Sequence, residues 1–344
     1  GDVYKRQLLY PLLGGLFCLS CSDDEQDTGT KQPTTAGEVT FGVDLTGFST
    51  RVTQDGSSWN DGDKIGTYVL DMKTLEPVTE AANVPYVCSE EGASVSFTST
   101  TPLKVQNDGT PVKFVAYYPY NADVRNFNYP VQLAAQERGS TACDLLYAAT
   151  KEEYTYSPEN EPHISLNFTH RLAKVILKFV NMEKEPLEVS DVRIEGMQTA
   201  ASFNIQTDVL TVDESSVATI NPYHNATTGF YEAIILPSAL TDSYKVSFVL
   251  DDREKEWIFT NLDIALPQFH KGYSYTFALY IDDSGFVEMG RLENVEGGNS
   301  SAPWEDGSSE DGTAEGDKTP VSGYAFTPAD GTQQALADTA VSYT

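Results

Sequence analysis

The side chains whose types and spacing come closest to chemistry are Cys18 and Cys21, which form a CxxC in Cys18-Leu-Ser-Cys21. A structural zinc site needs a second such pair, and a redox site needs a βαβ setting; the surrounding sequence offers neither. The pair closes the apolar run Leu8 to Ser20, which has the length of a signal-peptide core and is too short to cross a bilayer. Lipoprotein processing requires a Cys at the new N-terminus, preceded by a small residue and an apolar one. Leu19-Ser20-Cys21 supplies that order, and Phe17 before Cys18 does not. The expected chemistry is therefore acylation of Cys21, with residues 8–20 removed and the mature chain anchored in outer-membrane lipid.

Two flanking stretches bear on this reading. Ser22-Asp23-Asp24-Glu25 resembles the acidic signal that sends some Gram-negative lipoproteins to the cell surface, and reads equally as an acidic linker. Residues 1–7, Gly1 to Gln7, resemble the translation of a sequencing-library adapter and are expected to be foreign to the gene.

Catalytic ingredients are sparse elsewhere. His163, His170, His224 and His270 are scattered, with no HExxH, GxSxG or P-loop. No metal site, no cofactor and no enzymatic activity are expected. His170, between Phe168 and Leu172, reads as a core or strand-edge histidine bonded to its neighbours. Cys88 and Cys143 fit either a disulfide or two separate thiols, because sequence spacing does not fix a Cα distance. Against 51 Asp+Glu stand 22 Lys+Arg, a net charge of -29 that repels nucleic acid. The acidic stretches lack the spaced ligands of a Ca²⁺ loop. Trp59 and Trp304 lie in Gly/Asp-rich turns, where an exposed ring would stack on a sugar. They support an alternative, a non-polymerising glycan-binding surface lipoprotein whose partners are host or bacterial glycans.

The elements that must position these residues are strands. Residues 21–37 are polar and read as a flexible tether. Beyond them apolar residues recur with period two, as in Val39-Thr-Phe41-Gly-Val43-Asp-Leu45 and Tyr244-Lys-Val246-Ser-Phe248, punctuated by Gly, Pro, Asn and Asp. No window holds a helical period. About fifteen short strands exceed one sandwich and suit two. The charged, Pro-bearing break Asn181 to Pro186 sets the expected domains at 38–182 and 183–282. Residues 283–344 are acidic and Gly/Ser-rich and read as a disordered linker with a tail that a longer gene would continue.

Four stretches together resemble the fimbrillin family, the subunits of type V pili: Trp59-Asn-Asp-Gly62-Asp63-Lys-Ile65-Gly66, Phe114-Val-Ala116-Tyr117-Tyr118-Pro119-Tyr120, Asp144-Leu-Leu-Tyr147-Ala148 and Leu166-Asn-Phe168-Thr-His170-Arg-Leu172-Ala173-Lys174-Val175. The resemblance implies an all-β chain of two tandem transthyretin-like sandwiches at the cell surface. It also implies a non-catalytic pilus subunit, as stalk, tip or anchor, or an adhesin, joined to other pilus subunits by strand exchange.

In that scheme a protease cuts after an Arg, the first strand leaves, and a strand from another subunit fills the groove. Val39, Phe41, Val43 and Leu45 are the candidate inward residues of the leaving strand, and the bond between Arg51 and Val52 is the candidate cut. Arg51 reads equally as a solvated turn residue.

Overall fold

The computed structural model describes residues 36–44, 58–78, 82–136, 139–181, 183, 185–239, 244–250, 255–260, 268–281 and 287–296. Its strands in the first half are β1 (Ala36–Glu38), β2 (Thr40–Asp44), β3 (Lys64–Asp71), β4 (Val84–Cys88), β5 (Ser94–Thr98), β6 (Lys104–Gln106), β7 (Val112–Tyr118), β8 (Asn128–Gln132), β9 (Leu146–Ala149), β10 (His163–Leu166) and β11 (Thr169–His170). The second half adds β12 (Ala173–Asn181), β13 (Val189–Gln198), β14 (Ala200–Asn204), β15 (Val209–Val212), β16 (Val217–Ile220), β17 (Tyr223–Asn225), β18 (Phe230–Ile235), β19 (Ser238–Ala239), β20 (Lys245–Leu250), β21 (Lys255–Thr260), β22 (Gln268–Phe269), β23 (Ser274–Ile281) and β24 (Val287–Glu296). The chain is all-β as expected; the described residues include one short 3₁₀ turn, Ser140–Cys143.

Alternation builds the sheets. In β5 the odd residues Val95 and Phe97 are buried and their neighbours exposed, and β12 alternates along its length. An eight-stranded sheet runs β10-β2-β5-β4-β3-β7-β9-β11, and the second half holds a five-stranded sheet β17-β18-β12-β23-β24 and a four-stranded sheet β16-β13-β20-β21. Phe41, Tyr86, Phe97 and Phe114 belong to the first core, and Phe179, Phe248, Phe269 and Phe277 to the second.

A third core lies between the halves. The faces of β3, β7 and β9 turned away from the first core carry Tyr68, Val115, Tyr117 and Tyr147, and these pack with Leu172, Phe203 and Ile234 of the second half. Strands β3 and β7 are thus buried on both faces, which explains their nearly continuous apolar runs. Across the same seam β8 pairs with β14, so a strand of the first half completes a sheet of the second.

Two sequence expectations need correction. Ala173–Asn181 was expected to close the first sandwich, but it hydrogen-bonds antiparallel to β18 and parallel to β23, so the sheets change at Leu172 and not at residues 181–186. The strand runs directly out of the Phe168-to-Leu172 stretch, and the charged break after it is only a turn in the second sandwich. Residues 287–296, expected in a disordered linker, form β24 against β23. Its apolar residues Val287, Met289, Leu292 and Val295 do not keep strict alternation, and two register shifts interrupt its ladder with β23.

Candidate functional site

The family-like stretches meet in space as a scaffold. Gly66 pairs with Tyr117 between β3 and β7, and Tyr117 with Tyr147 between β7 and β9. The Tyr118 hydroxyl donates to Asp63 Oδ1 at 3.3 Å. His170 Nδ1 lies 2.8 and 3.0 Å from the two carboxylate oxygens of Asp144, with both residues buried. Arg171 binds Asp208 through Nε at 2.5 Å and Nη2 at 3.0 Å, and its guanidinium sits 4.8 Å from the Tyr147 ring centroid. Every one of these contacts is internal, which makes the cluster a joint and not a reaction centre. His170 is the bonded core residue expected from sequence.

Trp59 belongs to that joint. Its ring is fully buried, packed edge-to-face with Phe97, Tyr118 and Phe168 at centroid distances of 5.1, 5.3 and 5.4 Å. It offers no face to a sugar, which corrects its reading as an exposed glycan contact. The Gly/Asp composition of its turn signalled exposure, but the backbone bridge from Trp59 to Gly92 folds the turn inward.

The first strand pair is the other candidate. Strand β2 lies inside its sheet, parallel to β10 and antiparallel to β5, and β1 pairs with β6. Val39, Phe41 and Val43 are buried at 0%, 0% and 2% exposure. Phe41 sits edge-on to Tyr86 at 4.8 Å and to Phe114 at 5.9 Å. The Tyr86 hydroxyl donates to Val39 O at 2.9 Å and accepts Leu103 N–H at 2.8 Å. Burial pushes that hydroxyl up to about 12, so it stays protonated and keeps donating. On the outer side Thr40 Oγ1 lies 3.0 Å from His163 Nδ1, and Lys104 pairs with Glu38 at 3.1 Å. Removing residues 36–44 would open the edges of β5, β6 and β10 and three apolar pockets. Sequence reasoning missed Tyr86, Tyr156 and His163 as walls of this site; the signal available was a pair of glycines, Gly37 and Gly42, inside an alternating strand.

Cys21, Leu45, Arg51, Val52 and Trp304 lie outside the described residues. Cys88 and Cys143 are free thiols in separate cores. Among the described residues no cluster of three His, Cys, Asp or Glu side chains could hold a metal ion.

Residues 50–304 match the fimbrillin-like family. The chain belongs to this family. A candidate cell adhesion protein from Bacteroides uniformis is similar in structure at 23% identity and a TM-score of 0.59, covering 80% of this chain and 98% of its own. A second from Bacteroides ovatus, at 15% identity and a TM-score of 0.57, covers 76% and 98%. These two share the fold of this fimbrillin-like chain. No curated protein sequence matches it. Family membership points to a structural, non-enzymatic protein associated with surface fimbriae.

Proposed function

We propose that this fimbrillin-like chain is a surface lipoprotein anchored through Cys21 that acts as a pilus subunit or adhesin. Its β1–β2 segment is an exchangeable strand, freed by cleavage between Arg51 and Val52 and replaced by a strand of another subunit. The observation that carries this reading is the placement of Val39, Phe41 and Val43: three alternate core residues on one short segment seated between β5 and β10. Refilling the groove satisfies the open edges of β5, β6 and β10 and buries apolar side chains at roughly 1.5–3 kcal/mol each. The glycan alternative loses Trp59 to the core.

Immunogold electron microscopy tests this function. In cells carrying a complete export and assembly apparatus, an epitope-tagged chain should decorate surface filaments. Label that never appears on filaments would refute the role as a pilus subunit.

A further inference from the structure

A cleft of about 310 Å³ opens on the first sandwich, lined by no residue of β1 or β2. Lys64, Val87 and Thr98 stand in one cross-strand row over β3, β4 and β5, since Lys64 pairs with Val87 and Val87 with Thr98. Their neighbours Ile65, Tyr86 and Phe97 fill the first core, so alternation turns the row to the opposite face, where it lines the cleft. Pro85, two residues before Val87, shares that face, and both side chains are half-buried. Beside the row, Tyr120 N–H donates to Lys64 O at 2.9 Å and holds a half-buried aromatic ring against the cleft. On the far side Ser99 Oγ accepts Thr101 N–H at 3.2 Å, which fixes the turn that brings Ser99 and Thr100 into the lining.

The polar groups of the cleft are largely unspent. Among the described residues Lys64 has no ionic partner, and the hydroxyls of Thr98, Thr100 and Tyr120 make no hydrogen bond. Asp63, the carboxylate beside Lys64 in sequence, is engaged by Asn60 N–H and the Tyr118 hydroxyl. On a chain of net charge -29, the lining holds one cation and no carboxylate.

This lining matches a sugar ring with one negative charge. The C–H face of a pyranose packs on Pro85, Val87 and the Tyr120 ring, while its hydroxyls exchange hydrogen bonds with Thr98, Ser99 and Thr100. A single ammonium suits a carboxylate; a doubly charged phosphate would be left half neutralised on so acidic a surface. The volume stands at the lower end of small-molecule sites and fits one residue of a saccharide. We propose that this cleft binds a carboxylate-bearing monosaccharide unit, a hexuronic acid, with Lys64 on the carboxylate and Tyr120 against the ring. The site deepens the adhesin reading above and lies away from Trp59.

Titration of the uncleaved full-length protein, followed by saturation-transfer NMR, tests the assignment. The probes are methyl β-D-glucuronide and methyl β-D-glucoside, which share a ring and differ in the carboxylate. The glucuronide should bind at least about ten-fold more tightly, because a charge-assisted contact is stronger than a neutral one. Lys64→Gln, a change at an exposed side chain, should abolish the difference, and Tyr120→Ala should weaken both sugars. No saturable binding of the glucuronide, equal binding of the two sugars, or a preference that survives Lys64→Gln would overturn the site. Such a result leaves the filament role standing, since immunogold labelling decides that separately.

Discussion

Gln136 satisfies both backbone groups of Ile234: its Nε2 donates to Ile234 O at 2.6 Å, and its Oε1 accepts Ile234 N–H at 2.8 Å. A side-chain amide thus completes the edge of β18 from the other half of the chain. The same Nε2 donates to Leu133 O at 2.8 Å, and Gln136 is 1% exposed.

Gln136→Leu would leave these groups buried without partners, at about 1–3 kcal/mol for each. Denaturant unfolding should show a loss on the order of 3 kcal/mol. A change below about 0.5 kcal/mol, the range of surface substitutions, would mean that the Gln136 amide adds nothing to the join beyond the β8–β14 pairing and the apolar packing.

Arg171 joins the end of β11 to the turn at Asp208 with a two-pronged contact. Lysine keeps the charge but cannot reproduce the fork or the stacking over Tyr147, so Arg171→Lys should cost about 1–2 kcal/mol in thermal or chemical unfolding. Equal stability of the two proteins would show that charge alone makes the contact.

Phe41→Ala removes the central side chain of the β1–β2 segment. The cavity between Tyr86 and Phe114 should lower stability by about 3–5 kcal/mol in denaturant unfolding. A loss below about 1 kcal/mol would mean that the pocket collapses and that Phe41 does not anchor the segment.

Burial raises the Asp63 carboxyl above its ordinary range, against the Asn60 N–H and Tyr118 hydroxyl that bind it. A carboxyl raised in the folded state favours the fold fully below its unfolded pKa of about 3.9, and that contribution is lost as pH rises through the folded value. Asp63→Asn should therefore raise the unfolding midpoint near neutral pH and lose that advantage near pH 3, about one unit below that value.

Asp71 behaves oppositely: the backbone N–H groups of Thr74 and Lys73 hold it below the ordinary range. Its contribution is present above the unfolded pKa and is lost as pH falls through the folded value. The destabilisation by Asp71→Asn should fade in acid, and a constant difference across the pH series would contradict this.

Much of the fold was legible because alternation survives wherever one face of a strand meets a core, as in Val39-Thr-Phe41-Gly-Val43. The strand Ala173–Asn181 was legible as a strand but not by partner, since pairing with β18 and β23 is decided by residues far along the chain. Val287–Glu296 was hidden because its apolar residues do not alternate strictly and its acidic neighbours dominate the composition. Trp59 was misplaced for a related reason: composition reports the turn and not the direction in which a bridge to Gly92 folds it. The inward residues of the candidate groove were readable from spacing alone. Two of its walls, Tyr156 against Gly37 and His163 against Gly42, were not, because they approach from more than a hundred residues away.

The most direct test of the central claim is native mass spectrometry of the full-length protein after cleavage by a trypsin-like, Arg-specific protease. The account expects multimers whose subunits begin at Val52 and have lost residues 36–44. A chain cut at Arg51 that stays monomeric, with residues 36–44 still bound, would contradict it.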